Sequence, residues 1–311
     1  MEIIFFACIA AMRVVQQICT KKVSNKVKGD TFFHYGGYYN LVSALFSLFV
    51  LIFIGFYGFD WKTTFCALGT AIFMAVELFA SIEALKGCSL IVGQMFSVGA
   101  LCIPCIIGTF LFDERMSLLQ WIGFVLFMIA MYFMVSPSRT RDKNQCKQKV
   151  SKRTVLMLII TTLAGGGTMV VQKVFGRLVP NGNTAVYSFL MFALNAILLY
   201  CCYIVMSCCR KRKKVVQIGG ELDAAEKRYK PLPKILLICG MFLAFAVFAI
   251  NMLVTELGKT VSSAILFSVS YAISISITLL VGHFYYKEKM NKRNIVGILL
   301  CIVALAMINF L

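Results

Sequence analysis

The chain is short of charge, and shorter still of acid. Its 311 residues include 31 Lys or Arg but only 13 Asp or Glu, so 14% are charged, against roughly 25% in soluble domains. That deficit excludes an ordinary water-soluble domain. No GxSG elbow, HExxH helix or paired carboxylates with a histidine occur, so no catalytic residue and no intramembrane enzyme is expected. No Asn-x-Ser/Thr sequon is present either, which leaves a bacterial inner membrane open as the setting. The thirteen cysteines fall mostly inside apolar runs and read as small packing residues, with no metal site, disulfide or cofactor expected.

What is abundant is hydrocarbon. The sequence is 60% hydrophobic with a mean hydropathy of +0.86, arranged in continuous runs near the ~20 residues that cross ~30 Å of lipid as a helix. A membrane β-barrel needs alternating segments of about ten residues, which these are not. The expectation is an all-α integral membrane protein with ten transmembrane helices, at about 3–20, 35–56, 64–85, 88–112, 118–136, 154–175, 185–206, 235–257, 261–286 and 294–311. Tyr35, Tyr38 and Tyr39 are expected as a headgroup-level anchor. Pro104 is expected to bend the long fourth span, and Gly165-Gly166-Gly167 to let a neighbour approach or the sixth span unwind.

The runs fall into two related halves. Gly108, Phe110, Glu114, Met116 and Gly123 recur as Gly282, Phe284, Glu288, Met290 and Gly297, each 174 residues later. Val14-Val15-Gln16-Gln17 recurs as Val170-Val171-Gln172-Lys173 at an offset of 156. An internal repeat of this size makes the fold two copies of one unit. The halves are expected at 1–137 and 154–311, joined by a basic loop at 138–153, with a second basic loop at 208–234 inside the second half. Five spans per half is an odd number, so the second copy enters from the opposite side and the repeats are inverted. The odd-numbered loops carry +18 and the even ones about +1. Basic residues stay on the cytoplasmic side, so this count puts the odd loops there and both termini outside. The net charge of +18 therefore speaks of orientation and anionic headgroups, and no nucleic-acid partner is expected.

Polar side chains inside the spans are the candidate site, because an ionisable group in lipid costs about 2.5–3.5 kcal/mol on insertion scales and normally faces protein or water. Arg13, Gln16, Gln17 and Thr20 follow i, i+3, i+4 spacing on one face of the first span. Gln172 and Lys173 hold the repeat-equivalent places in the sixth. Glu77 lies in the middle of the third span. Desolvation favours its neutral form and a nearby cation its charged form, a balance suited to proton coupling; a permanent ion pair with Arg13 is the alternative. Gln94, Asn251, Ser270, Tyr271 and Ser274 complete the candidate substrate-binding set; Ser263 shares the ninth-span face of Ser270 and Ser274, which fits either cavity lining or hydrogen bonding between helices. Arg13 is expected to orient an anionic or carboxylate-bearing substrate, with surface snorkelling of Lys173 as its rival role. Glu83 with Lys86 and Glu256 with Lys259 read as interfacial ion pairs, and His34 and His283 as structural.

Ten spans, two inverted halves and a glycine-to-glutamate turn closing each fourth span, Gly108–Glu114 and Gly282–Glu288, resemble the drug/metabolite transporter superfamily in its EamA-like branch. The resemblance covers nearly the whole chain. It implies a multi-pass protein of the inner (plasma) membrane, with helices around a central cavity, moving a small metabolite or drug-like solute by alternating access. It implies a small-molecule substrate and the lipid bilayer as partners, with monomer and homodimer both open. Relatives of this kind have both termini in the cytoplasm, opposite to the charge count. Two other readings stand beside it, a nucleotide-sugar or phosphate-ester antiporter with Arg13, Lys173 and Lys259 as the anion site, and a non-transporting membrane scaffold.

Overall fold

A computed structural model describes residues 2–24, 26–27, 30–57, 59–111, 117–135, 151–218, 232–259, 274–275, 277–278, 281–282, 284–285 and 292–309. The helices among them are α1 (Glu2–Ser24), α2 (Asp30–Ile54), α3 (Trp61–Gly87), α4 (Leu90–Gly99), α5 (Cys102–Leu111), α6 (Leu118–Val135), α7 (Lys152–Leu178), α8 (Thr184–Ile218), α9 (Lys234–Leu257) and α10 (Lys292–Asn309). Among the described residues, seven helical segments are long and apolar enough to cross a membrane, with two shorter apolar helices at Leu118–Ala130 and Ile295–Ile308. The turns at 113–115 and 287–291 and most of the ninth expected span, including Ser263, Ser270, Tyr271 and His283, lie outside the described residues.

The expected fourth span, Leu90–Leu111, is interrupted within its length. It divides into α4 and α5 at Ala100–Leu101, four residues before Pro104. Proline has no N–H to offer the carbonyl four residues back, and its ring crowds that carbonyl. Accordingly the Ala100 carbonyl accepts from Ile103 N at 3.2 Å, an i+3 bond, and Leu101 N donates to Val98 O at 3.0 Å. Ser89 starts the pair of helices by accepting from Val92 N at 3.2 Å, a side-chain N-cap.

Two further expectations change. The seventh span, Thr184–Cys208, lies close to the expected 185–206, but its helix does not end with it: α8 continues to Ile218, through the basic run 210–214. Lysine and arginine are good helix formers, and no glycine or proline intervenes before Gly219. Nor do Tyr35 and Tyr39 anchor at the headgroups. They are 0% and 3% exposed, on the face of α2 that packs into the bundle.

Helices α2 and α8 pack along each other and run antiparallel, with Asn195 Nδ2 donating to Asn40 Oδ1 at 3.2 Å in mid-span and Asn183 Nδ2 to the Gly55 carbonyl at 3.0 Å at one end. Helices α3 and α7 form the other extensive contact. At the far end of α3, Lys21 Nζ of α1 donates to the Leu85 and Cys88 carbonyls at 2.9 and 2.6 Å, and Arg153 of α7 reaches Glu83 at 3.4 Å. Thus α1 ends where α7 begins. The buried side chains form two main clusters. One joins α4, α5, α6 and α10 to parts of α1, α3, α7 and α9; the other joins α2 and α8 to those same four helices.

Candidate functional site

The seam between the two clusters holds a cavity. Four helices supply nearly all of its wall, each in a row at helical spacing: Arg13, Gln16 and Thr20 of α1; Met74, Glu77, Leu78 and Ser81 of α3; Gly165, Thr168, Met169 and Gln172 of α7; and Leu243, Val247, Ile250, Asn251 and Val254 of α9. Tyr39 of α2 completes it. Steps of three and four residues keep each row on one face. The space open to the centre of a water-sized sphere is about 80 Å³. At 10–15 Å³ per water on that measure, it accommodates several waters or one small solute.

The Glu77 carboxylate owes its place to Gly165. A methyl group on Gly165 would lie 3.2 Å from Glu77 Oε1 and 3.3 Å from Ala100 Cβ, so the missing side chain is what lets α3 bring a carboxylate against α7. Gly166 does the same for the helix break: a Cβ there would come within 2.9 Å of the Ala100 carbonyl. The glycine run thus serves close approach, and α7 remains helical through it. Thr162 ties α7 to α4 by donating to the Phe96 carbonyl at 2.8 Å.

Arg13 and Glu77 are the only strongly basic and acidic side chains on the wall among the described residues, one on each of two neighbouring helices, α1 and α3. Gln172 Nε2 donates to Asn251 Oδ1 at 2.5 Å, and Asn251 Nδ2 to the Val247 carbonyl at 2.8 Å. This joins α7 to α9 across the wall.

Of the other sequence-expected residues, Gln17 leaves the cavity to donate to Ser97 Oγ at 3.3 Å, and Gln94 Nε2 donates to Ser274 Oγ at 3.0 Å between α4 and the ninth expected span. Neither lines the wall, and nor does Lys173. Lys173 does not snorkel: it is 3% exposed, inside the bundle face of α7. Glu83 binds Lys86, and Glu256 Oε2 meets Lys259 Nζ at 2.9 Å and Thr184 Oγ1 at 2.5 Å. Lys259 also donates to the Gly182 carbonyl at 3.1 Å, away from the cavity. His34 is buried beside the Tyr203 ring.

Sequence reasoning picked out Asn251 but missed its apolar α9 neighbours and the two methionines, Met74 and Met169. A signal for them was present. The 173-residue offset that relates Glu83 and Lys86 to Glu256 and Lys259 also carries Met74, Glu77, Leu78 and Ser81 onto Val247, Ile250, Asn251 and Val254, all on the wall. It also passed over the spacing Cys102-Ile103-Pro104-Cys105 at the start of α5. Both thiols are buried among apolar side chains, the setting in which cysteine is inert.

The EamA-like transporter family model matches residues 152–310. The chain belongs to the EamA-like transporter family. It is a multi-pass membrane protein, and the family's members are small-solute transporters rather than enzymes. One solved crystal structure is similar over 98% of this chain and 95% of its own, with a TM-score of 0.64 and 14% sequence identity, a likeness of fold alone. No curated protein matches the chain by sequence.

Proposed function

We propose that the protein is a secondary-active transporter that moves a small solute by alternating access through this cavity, its chain organised as two inverted five-span halves. The observation that carries the reading is the paired origin of the wall. Gln16 and Gln172, equated by the 156-residue offset, both line it, and so do the α3 and α9 rows equated by the 173-residue offset. The antiparallel course of α1 and α7, both meeting the end of α3, supports inversion. A binding site at the interface of inverted repeats is where rocking of one half against the other exposes a solute to each side in turn. The described basic residues Lys21, Lys22, Lys26, Lys86, Lys152 and Arg153 gather at that end of α3, which favours that end as cytoplasmic.

Glu77 is the coupling group in this reading. Arg13 of α1 and Tyr39 of α2 are the charged and titratable groups whose fields reach it, while α7 and α9 bring only neutral side chains to the wall. A lone carboxylate beside a cation in a narrow cavity can alternate between proton and solute. The cavity's size favours a compact solute over a nucleotide sugar, and Lys173 and Lys259 stand off the wall that a phosphate ester would need. The test is flux in proteoliposomes with a pH-sensitive dye inside. Wild type is expected to move protons against solute, and Glu77→Gln to lose that proton movement together with the pH dependence of whatever solute flux remains. Full pH dependence in Glu77→Gln removes the coupling role.

A further inference from the structure

The turn between α2 and α3 asks for two solvents at once. Its side chains ask for hydrocarbon: Phe49 packs edge-on to Phe53 with ring centroids 4.8 Å apart, Phe56 stacks on Phe59 at 6.1 Å, and Trp61 meets Phe65 edge-on at 5.6 Å. Those six and Tyr57 are each 55–74% exposed. Its backbone asks for water. Residues 55–57, 59 and 60 are not helical. The N–H groups of Phe56, Tyr57 and Phe59 meet no other backbone group among the described residues, and the Asp60 side chain does not cap the first turn of α3. Asp60 and Lys62 are the only charged residues between Asp30 and Glu77.

We propose that this aromatic turn is the protein's anchor in the bilayer interface, its rings at the boundary of the acyl chains and its backbone among the headgroups of the leaflet away from the basic end of α3. Unpaired N–H groups exclude the hydrocarbon core, where backbone must be satisfied within the protein. Seven exposed rings exclude bulk water. The interface serves both, and it is where Trp and Tyr concentrate in membrane proteins. A second copy of the chain covering the rings would take the turn's N–H groups out of water as well, so the lipid interface is the occupant. The length of α3 agrees. At 1.5 Å per residue, Phe65 lies about 32 Å from Lys86 along the helix, close to the ~30 Å of hydrocarbon. The rings at one end and the Glu83, Lys86 and Arg153 charges at the other therefore mark the two faces. Glu77 then lies about 18 Å from Phe65 and about 14 Å from Lys86, which sets the cavity at the bilayer midplane. The anchor fixes that depth, whatever the cavity carries.

The test uses the full-length protein with Trp121→Phe, which leaves Trp61 as its one tryptophan, in phosphatidylcholine proteoliposomes. Trp61 fluorescence is quenched by lipids brominated near the headgroup, midway along the acyl chain or at its end, and by aqueous iodide on both sides. The bromine nearest the headgroup should quench at least twofold more than the terminal one, and iodide at least threefold less than it quenches free tryptophan. The profile should hold when the protein is diluted tenfold with lipid. Phe56→Ser combined with Phe59→Ser removes one ring pair and should raise iodide quenching of Trp61 at least twofold. Strongest quenching by the terminal bromine would put the turn in hydrocarbon, and full iodide quenching without bromine quenching would put it in water. Bromine quenching that appears only on dilution would put a second copy over the rings. Each of these overturns the anchor, as does an iodide response unchanged in the folded Ser variant. Should that variant fail to fold, the depth profile of Trp61 with its rings intact decides by itself.

Discussion

Adjacent glycines in α7 should respond oppositely to the same methyl group. At Gly166, an added Cβ falls 2.6 Å from Ile103 Cβ and 2.9 Å from the Ala100 carbonyl oxygen, and it also meets Ile103 Cδ1. The last of these can swing away; the first two belong to the backbone and Cβ of the α4–α5 break and cannot move without reshaping it. Overpacking of this kind costs about 1–3 kcal/mol, and the helix-propensity gain from glycine to alanine returns only about 1 kcal/mol. With two of the three contacts unable to give, the cost lies toward the upper end, and Gly166→Ala should lower stability by up to about 2 kcal/mol. At Gly165 the nearest atoms are 3.2–3.3 Å away, a displacement of a few tenths of an ångström for a carboxylate on a rotatable side chain. There the propensity gain about balances the crowding, so Gly165→Ala should melt within a degree or two of wild type, a shift that follows from a net change well under 1 kcal/mol. Its effect should appear in transport, because the methyl group pushes directly on Glu77. The assay is thermal unfolding in one detergent for both variants, followed by flux in proteoliposomes. A stable, fully active Gly166→Ala, or a Gly165→Ala that unfolds as readily as Gly166→Ala, would refute this packing of α7 against α3 and the helix break.

Thr70→Val removes the 2.6 Å hydrogen bond to the Tyr187 hydroxyl and leaves that buried group without its partner; a loss of about 1–3 kcal/mol in reversible unfolding is expected, with Thr70→Ser restoring most of it. Gly123→Ala places a Cβ 2.9 Å from the Ala304 carbonyl oxygen, so the α6–α10 contact should open and the melting temperature fall, while calorimetric solute affinity stays near wild type because neither helix lines the cavity. Arg153→Ala breaks an ion pair whose arginine is 73% exposed; the expected change in stability is at most about 1 kcal/mol and should vanish in high salt.

Much of the architecture was legible in hydropathy alone, since a lipid-spanning helix needs its length of hydrocarbon wherever it sits in the bundle. Arg13, Gln16, Glu77, Gln172 and Asn251 stood out as costly groups in apolar runs, and the structure sets all five on one wall. The same criterion also selected Gln17, Gln94 and Lys173, which bury themselves against other helices. Spacing along one helix cannot distinguish these outcomes, because Gln16 and Gln17 are separated by a single 100° step and only the positions of α4 and α9 decide which one meets the cavity. Apolar wall residues such as Ile250 and Met169 were illegible in hydropathy for the opposite reason, since lipid, core and cavity all accept hydrocarbon; for Ile250 only the internal offset carried a signal.

The amino-acid order by itself determined that this chain lives in a membrane and that its spans are helices, since both follow from local hydropathy. Where α4 gives way to α5 was also written locally, in a proline that denies its N–H to Ala100. Only the tertiary structure decided that one cation and one carboxylate from neighbouring helices face a shared hollow, with glycine on a third helix leaving room for the acid. Such a meeting depends on the rotation and approach of whole helices, set by the sum of many weak side-chain contacts rather than by any one stretch of sequence.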